Sequence, residues 1–208
     1  MDQVQGTDEW HADRLGKVTA SRVADVIART QKGAWTYKRG EYLAELVAER
    51  LTASRTRKFV NAAMDWGKRT EAEARAFYEF MEDVDVELVG LIDHPTIPMS
   101  GASPDGQVGH DGLVETKCPT TKSHLEVLAS RVVPPEHITQ MQWQMACTGR
   151  AWCDYVSYDP RLPEHLRYFR QRVARDNALI AEIEKLVIEF LAEVDAKVAE
   201  LAFRSEAA

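Results

Sequence analysis

The stretch MSGASPDGQVGHDGLVETKC, residues 99–118, constrains the fold more than any other. Two segments of strand-like residues flank Gly109-His110-Asp111-Gly112, a turn composition, and the pattern reads as a β-hairpin. With the turn centred there, Asp105 and Glu115 lie five residues either side of His110 and face each other. The Cβ atoms of directly opposed residues stand about 4.5–5.5 Å apart. Lys117, two residues beyond Glu115, projects from the same face. Like charges so placed repel unless something cancels them. A register slipped by one residue would send Asp105 to the other face, and the turn has more than one closure. The plainest alternative is an exposed hairpin ion pair, worth about 0–1 kcal/mol.

Helices are expected around this hairpin. TASRVADVIA follows Thr19 and Ser21, both good N-cap types, with apolar residues at helical spacing. EYLAELVAERL repeats the pattern, and WGKRTEAEARAFYEFM turns Trp66, Ala74, Phe77 and Tyr78 toward a core. VDVELVGLI, residues 84–92, alternates as one strand. Helices near 121–130 and 135–148 come next, then two strands, AWCDYVSYD and LRYFRQRVA. A long helix closes the chain, with Leu179, Ile183, Leu186, Phe190, Val194, Val198 and Leu201 on one stripe. The order predicts an α/β fold, a mixed sheet flanked by α-helices with a long C-terminal helix. With 208 residues, 45% of them hydrophobic, and no repeat or linker, one domain over 1–208 is expected.

Composition bounds the function. No apolar run approaches about 18 residues, so no membrane-spanning helix is expected. The opening MDQVQGTDEW is acidic and polar, unlike a secretory signal. Cys118, Cys147 and Cys153 lack CxxC spacing and read as reduced intracellular thiols. The six histidines lack zinc-site spacing. The net charge of -7 argues weakly against nucleic acid, yet residues 1–60 hold eleven Lys/Arg against eight Asp/Glu. That asymmetry allows a basic face on an acidic body.

If the hairpin register holds, two carboxylates and an ammonium converge. Few carboxylates, with water completing the shell, suit Mg²⁺ or Mn²⁺. Such an ion polarises a phosphate oxygen and lowers the pKa of water. Lys117 would position that water or stabilise charge on the phosphorane oxygens. A second cluster is Arg14, Thr19 and Ser21. An arginine fork and hydroxyls beside a helix N-terminus make a phosphate pocket, the alternative being a helix cap and a surface arginine.

SPDG followed by ETKCP resembles the PD-(D/E)xK nuclease core, in the form of the lambda exonuclease and YqaJ-like viral recombinase family. Further blocks occur in the same order: WHADRLGKVTAS at 10–21, WGKRTEAEAR at 66–75, ITQMQWQM at 138–145 and YDPR at 158–161. The resemblance spans residues 10 to 203 and implies a restriction-endonuclease-like fold. It makes Asp105 and Glu115 metal ligands, with the Thr116 carbonyl, for two Mg²⁺ ions. Lys117 becomes the catalytic lysine and Glu71 a further acidic member, although alone Glu71 reads as a solvated helix charge. Gln140 becomes the glutamine that supports lysine and water. Arg14, Thr19 and Ser21 become the pocket for a terminal 5′-phosphate. Met64 takes the place of an apolar wedge at the duplex end, and Lys32, Lys38 and Arg39 read as backbone contacts in a loop between helices.

The activity implied is a processive 5′→3′ double-strand DNA exonuclease. It would release mononucleotides and leave 3′ overhangs. The resemblance further implies a ring-shaped trimer, a single-strand annealing partner, and the cytoplasm of a bacterial host, with phage or prophage origin. The rival readings are an endonuclease of the same chemistry and an inactive DNA-binding module.

Overall fold

The computed structural model describes residues 5–56 and 62–206, without the side chains at 62–65, 68 and 204–206. The chain opens with α1 (Asp8–Asp13), β1 (Val18–Thr19), α2 (Ala20–Ile27) and α3 (Tyr37–Thr52). After α4 (Ala62–Glu82) come β2 (Val86–Glu87), β3 (Ile92–Asp93), β4 (Ser100–Ala102), β5 (Gly106–Val108) and β6 (Gly112–Lys117). Then follow α5 (Thr121–Ser130), α6 (Pro135–Thr148), β7 (Trp152–Tyr158), β8 (Tyr168–Ala174) and α7 (Asn177–Glu206). The mixed α/β architecture and the long closing helix match the expectation.

The strands form two sheets. The larger has the order β2-β5-β6-β7-β8, and only its β6–β7 pair is parallel. The smaller has the order β1-β4-β3. Both strands expected to be continuous are thereby divided. Residues 84–92 split between β2 in the larger sheet and β3 in the smaller, and residues 99–109 split between β4 and β5. Pro104 explains the second break, because it has no N–H to give to a ladder and its φ is fixed. Ser103, Pro104 and Asp105 therefore carry the chain from one sheet to the other.

The hairpin has the unslipped register. Gly106 pairs with Val114, Gln107 with Leu113 and Val108 with Gly112, a pattern whose next pair is Asp105 and Glu115. Gly109 takes φ +53 in the connecting loop, a conformation that favours glycine. Strand alternation then divides the sheet faces. Leu113, Cys153, Tyr155 and Phe169 pack under Val127, Met141 and Met145 of α5 and α6. Val114 and Val156 pack on the opposite face under Tyr78 of α4. Glu115 shares the face of Leu113, so its carboxylate is directed into the α6 side of the core.

A further cluster joins α2, α3, α6 and α7 through Val23, Val26, Leu46, Trp143, Ile183 and Phe190. The apolar stripe of α7 is seated there by Ile183, Phe190 and Val194, but Leu201 at its far end is exposed. Ile180, Val187 and Leu191 join the buried face, which is wider than the stripe read from spacing.

Lys38 and Arg39 lie in the first turn of α3 and not in a loop. Lys38, like Lys32 before it, is exposed. Arg39 is only 4% exposed and grips both carboxylate oxygens of Glu193 on α7, at 2.8 and 2.7 Å. It also stacks over Trp35, 4.0 Å from the ring centroid. The expectation that Arg39 is a surface DNA contact is corrected: its guanidinium joins α3 to α7. Met64 falls on α4, and its side chain lies outside the described residues.

The hydrogen bonds from Arg39 hold Glu193 below its ordinary pKa, against burial, which pushes it up. Stability from this pair is therefore complete above the unfolded carboxylate value, roughly 4.3. It is lost as pH falls through the lower folded value. Glu193 is partly exposed, so Glu193→Gln should cost only about 1–2 kcal/mol at pH 7. Thermal denaturation should show that gap narrowing as the pH is lowered below the unfolded carboxylate value.

Candidate active site

The crossover at Ser103–Asp105, the end of β6 and the start of α2 meet at one pocket of about 200 Å³, lined by Arg14, Ser21, Asp105, Glu115, Lys117 and Gln140 among others. Six residues singled out from sequence thus share one cavity. Thr116 follows Glu115 on β6 and borders the adjoining groove, as do Glu71, Cys118 and His137. Lys117 and Ser21 line both spaces and mark where they join. Thr19 lies elsewhere. It is buried and lines a neighbouring cavity on the other side of Arg14, with Arg22 and Arg55.

Glu115 is only 1% exposed. A buried carboxylate costs several kcal/mol unless donors surround it, on the order given by continuum and mutational work. The Lys117 ammonium and the Gln140 amide, at 2.6 Å, donate to Oε1, and the Gln144 amide donates to Oε2 at 2.5 Å. Gln140 and Gln144 are one helical turn apart on α6, so they present one face to β6. Across the hairpin, Asp105 Oδ2 accepts the Thr116 backbone N–H at 2.7 Å.

The charges interact strongly. Burial pushes Asp105 well above the ordinary carboxylate range, and the Glu115 charge pushes the same way. Lys117 and the Thr116 N–H oppose this, while Glu71 adds to it. Burial works against the Lys117 ammonium, but Glu115 and Asp105 outweigh it and hold its pKa above the usual value. Lys117 is thus a fixed positive charge at neutral pH. Cys118 is pushed up to about 12 by burial and by Glu71 and Asp105, so it is a thiol. Burial, with Lys117 next, lowers His137 to about 4, so its imidazole is neutral.

Three features were not singled out from sequence. Ser103 Oγ accepts from Trp10 Nε1 at 3.0 Å and from Arg14 Nη1 at 2.9 Å, and the Arg14 guanidinium lies over the Trp10 ring. Burial lowers Arg14 to about 10, Tyr42 opposing and Arg55 adding to the shift. Gln5 ties the same loop by donating to the Pro104 carbonyl at 2.7 Å. Gln144 is the third; its signal was the four-residue step from Gln140. Thr19 occupies the N-cap of α2 without a side-chain cap hydrogen bond, which leaves first-turn N–H groups beside Ser21.

The YDPR segment frames Glu71. Arg161 holds Asp159 at 2.7 Å, reaches the Pro119 carbonyl at 3.1 Å and lies over the Trp66 ring of α4. Tyr158 donates to Glu73 at 2.8 Å. These contacts fix α4 on both sides of Glu71 against the end of β6.

The donor set fits a hard divalent cation. Two mutually repelling carboxylates stand together with a third acid, Glu71, close enough to raise Asp105. Among the described residues no three His, Cys, Asp or Glu form a ready cage.

The YqaJ-like viral recombinase domain matches residues 9–151. This chain belongs to that family. Its structure is similar to that of LHK-Exo, an alkaline exonuclease from Laribacter hongkongensis, at 52% identity and TM-score 0.90, over 96% of this chain and 98% of that one. LHK-Exo in complex with dAMP aligns over the same shares at 52% identity with TM-score 0.91. A phage related exonuclease from Haemophilus somnus 129PT is 16% identical and has the same fold, with TM-score 0.69 over 89% and 96% of the two chains. No curated protein matches the chain. The family match takes in all the blocks read from sequence except YDPR, which lies beyond residue 151.

Asp105→Asn keeps an acceptor for the Thr116 N–H and removes the charge that burial and Glu115 disfavour. In metal-free buffer at pH 7 this variant should be more stable than wild type, because burial and the Glu115 charge both disfavour the ionised Asp105. Differential scanning calorimetry at pH 7 should show the higher Tm, and added Mg²⁺ should raise the wild-type Tm more than the variant's.

Proposed function

We propose that this protein is a divalent-metal-dependent 5′→3′ double-strand DNA exonuclease that acts processively from 5′-phosphorylated ends. It releases mononucleotides and leaves 3′ overhangs for single-strand annealing. The observation that carries this reading is the single pocket in which Asp105, Glu115 and Lys117 meet Arg14 and Ser21. Kinship with a protein described as an alkaline exonuclease, itself seen with dAMP, supports a nuclease role.

In this reading Asp105, Glu115 and the Thr116 carbonyl hold Mg²⁺, two ions with Glu71 nearby, and Mn²⁺ substitutes. The cation supplies Lewis acidity to the scissile phosphate and lowers the pKa of the attacking water. The chain's own groups do the rest. Lys117 brings a fixed positive charge to where phosphoryl charge develops. Gln140 shares Glu115 Oε1 with Lys117 and keeps the lysine in place. Arg14, held against Trp10, offers a flat fork to a terminal phosphate, and Ser21 and the N-terminus of α2 add donors. Met64 as a wedge, and Lys32 and Lys38 as backbone contacts, belong to the same proposal; Arg39 no longer does.

A ring-shaped trimer would place basic residues along a central channel and leave the outside acidic. That arrangement reconciles DNA binding with a net charge of -7. A single-strand annealing protein is the proposed partner, in a bacterial cytoplasm.

The test uses linear duplex labelled at either end, with 5′-phosphate or 5′-hydroxyl, with and without Mg²⁺, beside a closed circle. Mg²⁺-dependent release of mononucleotides from 5′-phosphorylated ends, the circle intact, is the expected result. A cut circle would replace the reading with an endonuclease, and no cleavage under any metal would leave a binding module. Lys117→Ala should lower the rate by about 10²–10³-fold, the range for loss of one charge-stabilising donor, while duplex affinity holds. Arg14→Ala should slow 5′-phosphate ends most. A wild-type rate in Lys117→Ala would remove the lysine from the chemistry.

A further inference from the structure

An ionised carboxylate has two oxygens and about four lone-pair sites. Glu115 uses them unequally. Oε1 accepts from both Lys117 and Gln140, so its sites are filled. Among the described residues, Oε2 accepts only from Gln144. One lone-pair site on Oε2 is therefore without a donor among the described residues.

Nothing intrinsic to glutamate locks that orientation. The last torsion of a Glu side chain is broad and roughly two-fold. Donors at both oxygens supply the lock. Gln140 is half-buried and borders the pocket, and the oxygen it serves keeps Lys117 if the glutamine is lost. Gln144 is 0% exposed, and Oε2 has no second donor among the described residues. Its own amide is oriented in turn, because its carbonyl faces the buried Cys153 thiol at 3.9 Å and its NH₂ faces Glu115.

We propose that Gln144 is a positioning residue for cation binding, aiming the oxygen of Glu115 that keeps a free lone pair. The inference rests on the divalent-metal reading of this site. It assigns the two glutamines different work. Gln140 acts on the lysine side of the carboxylate, and Gln144 acts on the cation side. Groups that orient a ligand in this way typically account for about 10–100-fold in metal affinity.

The experiment titrates DNA-free protein with Mn²⁺ by calorimetry. Gln144→Met keeps the length of the side chain and removes both polar atoms. Its Kd for Mn²⁺ should rise about 10–100-fold, and Gln140→Met should raise it less. In cleavage assays the Mg²⁺ concentration for half-maximal rate should rise in parallel, while the rate at saturating Mg²⁺ stays near wild type. A purely structural role would instead lower Tm and maximal rate at an unchanged Mg²⁺ midpoint, and that outcome would overturn the proposal. Wild-type Mn²⁺ affinity in folded Gln144→Met would overturn it as well. If Gln144→Met does not fold, Gln144→Asn carries the test, since its shorter amide withdraws from Oε2 and should shift affinity in the same direction. Failure of the wild type to bind Mn²⁺ would overturn the metal reading itself, and this inference with it.

Discussion

The burial of one carboxylate, Glu115, organises this molecule. At 1% exposure the group depends on donors, and those donors come from its own strand and from α6. The requirement fixes α6 against β6 in both rotation and translation, because two amides one turn apart must meet two oxygens. Met141 and Met145, interleaved with those glutamines, then enter the apolar layer over Leu113 and Cys153. The polar grip and the hydrophobic packing are thus two consequences of one helix placement. A helix shifted by one residue would lose both.

The second constraint is the crossing between sheets. Pro104 ends the ladder of β4, and the chain re-enters pairing at Gly106 in the other sheet. Asp105 stands at the junction and is held by a backbone N–H from the strand opposite. Gln5, Trp10 and Arg14 tie the two residues before it. This is why the N-terminal segment, remote in sequence, becomes part of the site.

Much of this was legible in the sequence, for identifiable reasons. The helices expected near 121–130 and 135–148 are present, with Thr120 capping the start of the first and Gly149 the end of the second. The glycine-flanked turn offered Asp105 opposite Glu115 as one possible register, and the structure adopts that register. The two divided strands were not legible, because alternation reports a half-buried surface but not which sheet owns it. Arg39 was misjudged for a related reason. A basic residue near two others reads as surface, and its partner Glu193 is 154 positions away on the last helix. Gln144 lies in the ITQMQWQM block one turn beyond Gln140, and only the location of Glu115 gives that step its meaning.

Charge shows the same gap between sequence and structure. The basic excess of residues 1–60 suggested a positive face. Lys17 pairs with Asp93, Arg22 with Asp25 and Glu45, Arg39 with Glu193, and Arg50 with Asp195. Much of that excess is therefore spent on internal pairs. Arg14 differs. Among the described residues its guanidinium meets a serine hydroxyl and a tryptophan ring, with no carboxylate in ion-pair range. A half-buried cation without an anion is costly, and burial lowers its pKa accordingly. On the proposed reading, a phosphate entering the pocket would relieve that cost, and recognition would then depend on this charge in a shaped cavity more than on the sign of the whole protein.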